Sequence, residues 1–396
     1  MSSTSVRRRK HARRRSLLHS LLALSAAGAM VTAGVVATAT QPATATEPAV
    51  TLASLKEAAA AHGKYFGTAV AEQFLGEYDY VTTLNREFNS VTHENSLKWE
   101  SVQPQPGQFN WSNADRIFEH ARSQGMEVRG HTLVWHSQLA GWVNASNARQ
   151  AMADHIAAVA GRYAGQVASW DVVNEAFEED GSRRNSPFQQ AMGDDFIAEA
   201  FRLADAADPN AKLCYNDYNL ENPGPKQDAA YNLVRDLKAQ GVPIDCIGFQ
   251  AHFNSGNPMP NNFHETLQRF ADLGVDVQIT ELDIAGSGSS QAEQFRGVVQ
   301  ACLAVSRCNG ITVWGVTDKY SWRSSDTPLL FDGNYQPKEA YYAVLDAFGA
   351  SLTDARIHAA GHRDTAALRP EDLGVEPLHS AHSRVADTLA HASASA

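Results

Sequence analysis

The chain has 396 residues, 43% of them hydrophobic and 19% charged, which is enough apolar material for one large core with segments to spare at both ends. Its formal charge of −11 argues against polyanionic partners, so neither nucleic acid nor an anionic lipid surface is expected, and the substrate should be neutral.

Residues 1–45 come first and differ from everything after them. Seven Lys/Arg and no acids precede an Ala/Leu/Val stretch from Leu17 to about Ala39, and Ala43-Thr44-Ala45 has the small-residue pattern of a cleavage site. This is the pattern of an export signal. Arg14-Arg15 fits either a Sec or a twin-arginine route. Loss of the seven bases would take the formal charge from −11 to −18, leaving a secreted, extracellular protein with no membrane segment in its mature form; a monomer is the expected state. In an oxidising compartment the four cysteines would close as disulfides. Three pairings are permitted, and the short-range one joins Cys214 with Cys246 and Cys302 with Cys308. No CxxC spacing occurs, so no metal is expected.

From residue 46 to 350 short β-rich runs alternate with stretches of helical period. The strands are predicted near Tyr65–Ala69, Ser90–His93, Glu127–Trp135, Ala168–Asn174, Lys212–Asn216, Cys246–Ala251, Asp276–Thr280 and Ile311–Thr317. Helices lie between them. In Asn147–Tyr163 the residues Met152, Ile156, Val159 and Tyr163 form one apolar stripe, and Met192, Phe196, Ala200 and Leu203 do so in Phe188–Ala207. Strand-helix units in this number and length, without a Gly-rich phosphate turn, predict a single (β/α)8 TIM barrel. Residues 351–396 hold no Phe, Tyr or Trp but five scattered histidines, and read as a disordered tail without its own core.

Barrels of this kind carry their chemistry on the carboxyl ends of the strands. Two glutamates stand there: Glu175 closes the fourth run and Glu281 closes Val277-Gln278-Ile279-Thr280 in the seventh, placed to face each other across the barrel. A carboxyl pair suits acetal cleavage, in which one group protonates the departing oxygen and the other faces the anomeric carbon. A separation of about 5–5.5 Å would permit direct attack with retention, and about 6.5–9.5 Å would admit a water and invert. A lone rim Glu is more often a helix cap; a pair is not so easily dismissed.

Trp170-Asp171-Val172-Val173-Asn174-Glu175-Ala176 and Ile279-Thr280-Glu281-Leu282-Asp283-Ile284 resemble the two catalytic motifs of glycoside hydrolase family 10, the retaining xylanases. Glu94–Trp99, Gly130–His136, Tyr215–Asn219, Gly248–Phe253 and Thr312–Asp318 resemble that family in the same order, so the likeness spans roughly residues 50 to 350. The resemblance implies an endo-acting enzyme on β-1,4-xylan and xylo-oligosaccharides, without a cofactor. It implies Glu175 as acid/base and Glu281 as nucleophile, with Asn174, His252 and Asp283 in support. Sugar contacts are implied for Glu94, Asn95, Lys98, His131, Trp135, Gln250, Trp314 and Trp322, and leaving-group contacts for Tyr218 and Asn219. Trp99 and Trp170 read as packing, whereas Trp322 lies in the polar segment Tyr320–Thr327 and should be exposed. The alternatives are a β-1,4-glucanase of related architecture, a non-catalytic xylan-binding protein, and a metal-dependent hydrolase using His131, His136, His252 and Asp318.

Overall fold

The computed structural model describes residues 53–350. The expected leader (1–45) and tail (351–396) lie outside the described residues. Ten strand segments form the sheet: β1 (Tyr65–Val70), β2 (Ser90–His93), β3 (Glu127–Gly130), β4 (Val134–Trp135), β5 (Ser169–Asn174), β6 (Lys212–Asp217), β7 (Cys246–Phe249), β8 (His252–Phe253), β9 (Asp276–Ile284) and β10 (Cys308–Val313). All pair in parallel, and β10 pairs with both β1 and β9, so the sheet closes on itself. Two of the eight barrel positions are split, β3 continuing into β4 and β7 into β8. The result is a (β/α)8 barrel, as the alternating pattern predicts.

Outside the strands, helices pack their apolar stripes on the barrel. Met152, Ile156 and Val159 of Ala148–Arg162 are fully buried, and Tyr163 follows at the helix end. The single helix predicted over Phe188–Ala207 is instead two, Pro187–Met192 and Asp195–Ala207, because Gly193 takes φ +59° and breaks the run. Trp170 spans the wall from β5: its ring lies where a Cβ on Gly130 would stand, 2.1 Å away, and its indole N–H donates to Asp208 at 3.0 Å. Gly130 is therefore glycine for space rather than for backbone angle. Both short-range disulfides are present; Cys214 and Cys246 face each other in register between β6 and β7, and Cys302 joins Cys308.

The floor of the barrel is polar. Arg129 on β3 donates to both oxygens of Asp171, to Ser169 at 3.2 Å and across the interior to Gln278 on β9. Burial alone would raise the Asp171 pKa; the Arg129 guanidinium and the His131 ring hold it below the usual carboxylate range.

Two register shifts matter for what sits at the top. Between Ile311 and Val313 on β10 the partners on β9 advance from Ile279 to Leu282, three residues against two. On β5 the partners advance from Asp171 to Val173 while β6 moves only from Cys214 to Tyr215. A bulge turns neighbouring residues to the same side, and both glutamate-bearing segments have one.

Candidate active site

Glu175 follows β5 directly, with φ +56°, a conformation that costs a non-glycine residue roughly 1–2 kcal/mol. The surroundings hold it there. Its N–H donates to the Asn216 carbonyl at 2.9 Å, its own carbonyl accepts from Arg184 Nε at 2.9 Å, and the next N–H, of Ala176, donates to the Tyr215 hydroxyl at 3.0 Å. Tyr215 in turn donates to buried Asp217. The left-handed turn lets Asn174 and Glu175 both face the cleft. Glu175 Oε2 accepts from Trp135 Nε1 at 2.9 Å, and Oε1 from Gln250 at 2.9 Å and Asn174 at 3.3 Å.

Glu281 is not at the end of its strand. The predicted Asp276–Thr280 runs on to Ile284, because β8 adds a partner: His252 and Phe253 pair with Asp283 and Ile284. The backbone N–H of Glu281 is bonded to the Gln250 carbonyl at 3.1 Å, and the residue is only 5% exposed. Nor do the fourth and seventh barrel positions stand diametrically opposed, since β6 and β7 separate them on the short way round. The intervening strands supply the link between the carboxylates. Asn216 on β6 donates to Glu281 Oε1 at 2.8 Å and to Asn174 Oδ1 at 2.9 Å, and Asn174 donates to Glu175. Thr280 donates to Asn216 Oδ1 at 2.6 Å and so fixes which way the amide points. A Cβ on Gly248 would lie 2.1 Å from that same Oδ1, so a residue with no side chain is needed there.

Burial would raise the Glu281 pKa, but a hydrogen bond from His252 and the charges of His131 and His252 hold it below the usual glutamate value. His252 Nε2 lies 3.2 Å from Glu281 Oε2 and its Nδ1 3.0 Å from Asp283 Oδ1. Burial opposes its charge, yet Asp283 and Glu281 together push its pKa up to about 10. The two carboxylates thus favour the imidazolium form of His252 beside Glu281. Predicted strand Cys246–Ala251 breaks at Ala251, φ +60°, whose N–H is bonded to Glu221 at 2.8 Å; the break turns Gln250 toward Glu175 and His252 toward Glu281.

The remaining candidates divide. Lys98 is buried, donates to Asn95 at 3.0 Å, and sits 5.2 Å over the Trp135 ring. Burial lowers its pKa while the charges of Glu281, Glu94 and Glu175 counteract, which sets it within the field of all three. Glu94 is pushed up by burial, partly offset by Lys98. His131 is buried with Nδ1 2.9 Å from Asp171, and Trp314 meets it edge-on at 5.4 Å. Trp322 is 61% exposed, as its polar segment suggested, and its indole donates to Asp283 at 2.8 Å; Trp99 and Trp170 are buried. Tyr218 and Asn219 stand apart from both glutamates in their contacts. Tyr218 accepts from Arg184 at 2.8 Å under Lys226, while Asn219 donates to Glu179 and accepts from Asn257. Asp318 turns away from any histidine set, bonded to the Leu329 N–H and to Lys338. Predicted strand Ile311–Thr317 also stops early, at Val313, and leaves Trp314 on the loop.

Sequence reasoning assigned no role to Asn216, Arg184, Tyr215 or Arg323. Asn216 carried a signal, since it is a polar residue ending the predicted strand Lys212–Asn216; its register opposite Asn174 appears only in the structure. The two arginines lie in loops where no periodicity points anywhere. Among the described residues no group of three or more His, Cys, Asp or Glu could hold a metal ion. Chemically, the cleft offers one half-buried carboxyl accepting three neutral N–H donors and one buried carboxylate charge-paired with an imidazolium. Such a pair can divide proton transfer from nucleophilic attack.

Comparison with known proteins agrees. A family model for glycosyl hydrolase family 10 matches residues 54–347. The chain is 44% identical over 312 residues to endo-1,4-beta-xylanase 5 of Pyricularia oryzae, covering 74% of this chain and 77% of that protein. It is 44% identical over 305 residues to endo-1,4-beta-xylanase 3 of Hypocrea jecorina, covering 74% and 85%. Among solved structures, xylanase 10B of Thermotoga petrophila in complex with xylobiose superposes with a TM-score of 0.72 at 38% identity, covering 75% of this chain and 97% of that one.

Proposed function

The chain belongs to glycosyl hydrolase family 10, and from that premise we propose that it is an endo-1,4-β-xylanase acting by double displacement with retention of configuration. Glu281 attacks the anomeric carbon while Glu175 passes its proton to the departing glycosidic oxygen, giving a covalent xylosyl ester. Glu175, now a carboxylate, takes a proton from the incoming water, which breaks the ester and frees Glu281. Asn174 addresses the 2-hydroxyl of the sugar undergoing cleavage, and Trp135 and Gln250 keep the acid/base aimed as it switches between its two forms. His252 and Asp283 keep the nucleophile ionised and oriented.

The reading rests on one observation above the rest: the two carboxylates share a continuous chain of amides, Asn174 and Asn216, within one cleft. Glu94, Asn95, Lys98, His131 and Trp135 are assigned to the glycone side, Trp314 and Trp322 to packing against sugar faces, and Tyr218 and Asn219 to the leaving-group side. Xylo-oligosaccharides are the soluble ligands this predicts, in keeping with the xylobiose in the Thermotoga petrophila structure. The basic and apolar leader supports export, with residues 46–350 as the catalytic domain. Proton NMR of the first product formed from xylan tests the mechanism. A β-anomer is expected, and an α-anomer overturns it. Parallel assays on xylan and carboxymethylcellulose separate the xylanase from the glucanase.

A further inference from the structure

We propose that Trp322 and Arg323 are positioning residues for the nucleophile, acting through Asp283 and His252, so that the sugar platform and the attacking carboxylate are mechanically one unit. The proposal rests on the reading of Glu281 as nucleophile.

Asp283 is fully buried, accepts from two donors and stands against a third group, His252. Its Oδ2 accepts from Trp322 Nε1 at 2.8 Å. Its Oδ1 accepts from Arg323 Nη1 at 2.6 Å and also lies 3.0 Å from His252 Nδ1, although that nitrogen is out of line for a hydrogen bond. Arg323 therefore holds the oxygen that His252 would otherwise use. The arginine is itself fixed by the Phe253 carbonyl and by Asp326. The Trp322 ring meets the His252 ring edge-on at 5.2 Å while most of the residue is exposed. One residue thus offers a face to the cleft and an N–H to the carboxylate behind the nucleophile.

The charge balance follows. Around Glu281 stand the cations or potential cations His252, His131, Lys98 and Arg129, and the anions Asp171 and Asp283, with Glu175 across the amide chain. Glu221 faces His252. Arg323 neutralises Asp283 from the loop side, and Trp322 spreads part of its remaining charge. Removing either leaves more negative charge behind His252, which makes ionised Glu281 less favourable. The acid limb of kcat/KM must then move to higher pH.

Trp322→Phe keeps a ring and removes the donor, Trp322→Ala removes both, and Arg323→Gln removes the cation. For Arg323→Gln we expect kcat/KM at pH 4.5 to fall about 3–10-fold relative to its own plateau, with a smaller fall of the same sign for Trp322→Phe. Trp322→Ala should add a rise in KM larger than that of Trp322→Phe. Arg323→Lys, which retains the charge, should restore the acid limb. If the Trp322→Phe and Arg323→Gln profiles superpose on wild type, the loop is a platform alone and the proposal is overturned. Superposition of the Arg323→Lys profile on that of Arg323→Gln would overturn it as well. Circular dichroism melts of each variant exclude misfolding as the cause. Glu281→Ala, run alongside, separates this failure from failure of the parent reading, since a variant with wild-type turnover would sink the nucleophile itself.

Discussion

The floor and the rim of the barrel use the same chemical alphabet and reach opposite results. At the floor, Arg129 spends its donors on Asp171, Ser169 and Gln278, and Asp171 also meets His131. At the rim, Glu175 and Glu281 are held by amides, an indole and an imidazole, while the cleft remains free to supply a reacting partner. A carboxylate paired with a guanidinium is a strut. The same group paired with a titratable imidazole and a neutral amide keeps its reactivity. What separates structure from chemistry here is the partner, not the residue type.

Substitutions can break this contrast. The largest effect is expected from Glu281→Ala, which should lower kcat by roughly 10⁴-fold or more while the protein still folds and binds xylan. Initial rates with a pull-down on insoluble xylan measure both. Next, Arg129→Met leaves Asp171 buried without its guanidinium and should cost about 3–5 kcal/mol of stability, read by chemical denaturation. If the floor were merely a second active region, that variant would lose rate and keep stability. Asn216→Ala sharpens the comparison at the rim: it cuts the amide link between the carboxylates and should lower kcat on the order of 10²-fold with a modest change in melting temperature.

The last expected effect is a pH dependence. The folded-state pKa of His252, about 10, lies above its unfolded value of about 6.5. The stabilisation from its pairing is therefore complete below that unfolded value and is lost as pH rises toward 10. A series of thermal melts from pH 6 to 10 should show a decline that His252→Gln flattens; an equal decline in the variant would assign the effect elsewhere.

The architecture was legible because barrel strands alternate with amphipathic helices; of the two disulfides, Cys302–Cys308 closes a loop of only 6 residues, whereas Cys214–Cys246, 32 residues apart, is set by the register of two adjacent strands. Less legible was anything set by a departure from regular period. Strand β9 passes through Glu281 only because β8 pairs beyond it, and the bulges on β5 and β9 turn neighbouring side chains to one side, which a two-residue period cannot anticipate. The predicted helix over Phe188–Ala207 hid a glycine break at Gly193. The glutamates, Asn174 and His252 could be picked out by motif, whereas Arg184 and Arg323 reach the site from loops with no pattern to betray them.

Gly248 carries no functional group, yet any larger residue would collide with the Asn216 amide that donates to Glu281. In a population of related genes, drift at that one codon could silence turnover while leaving both glutamates, and hence every outward sign of an active hydrolase, in place. Genome surveys that score such chains by their acidic pair alone would count the silenced copies as working ones.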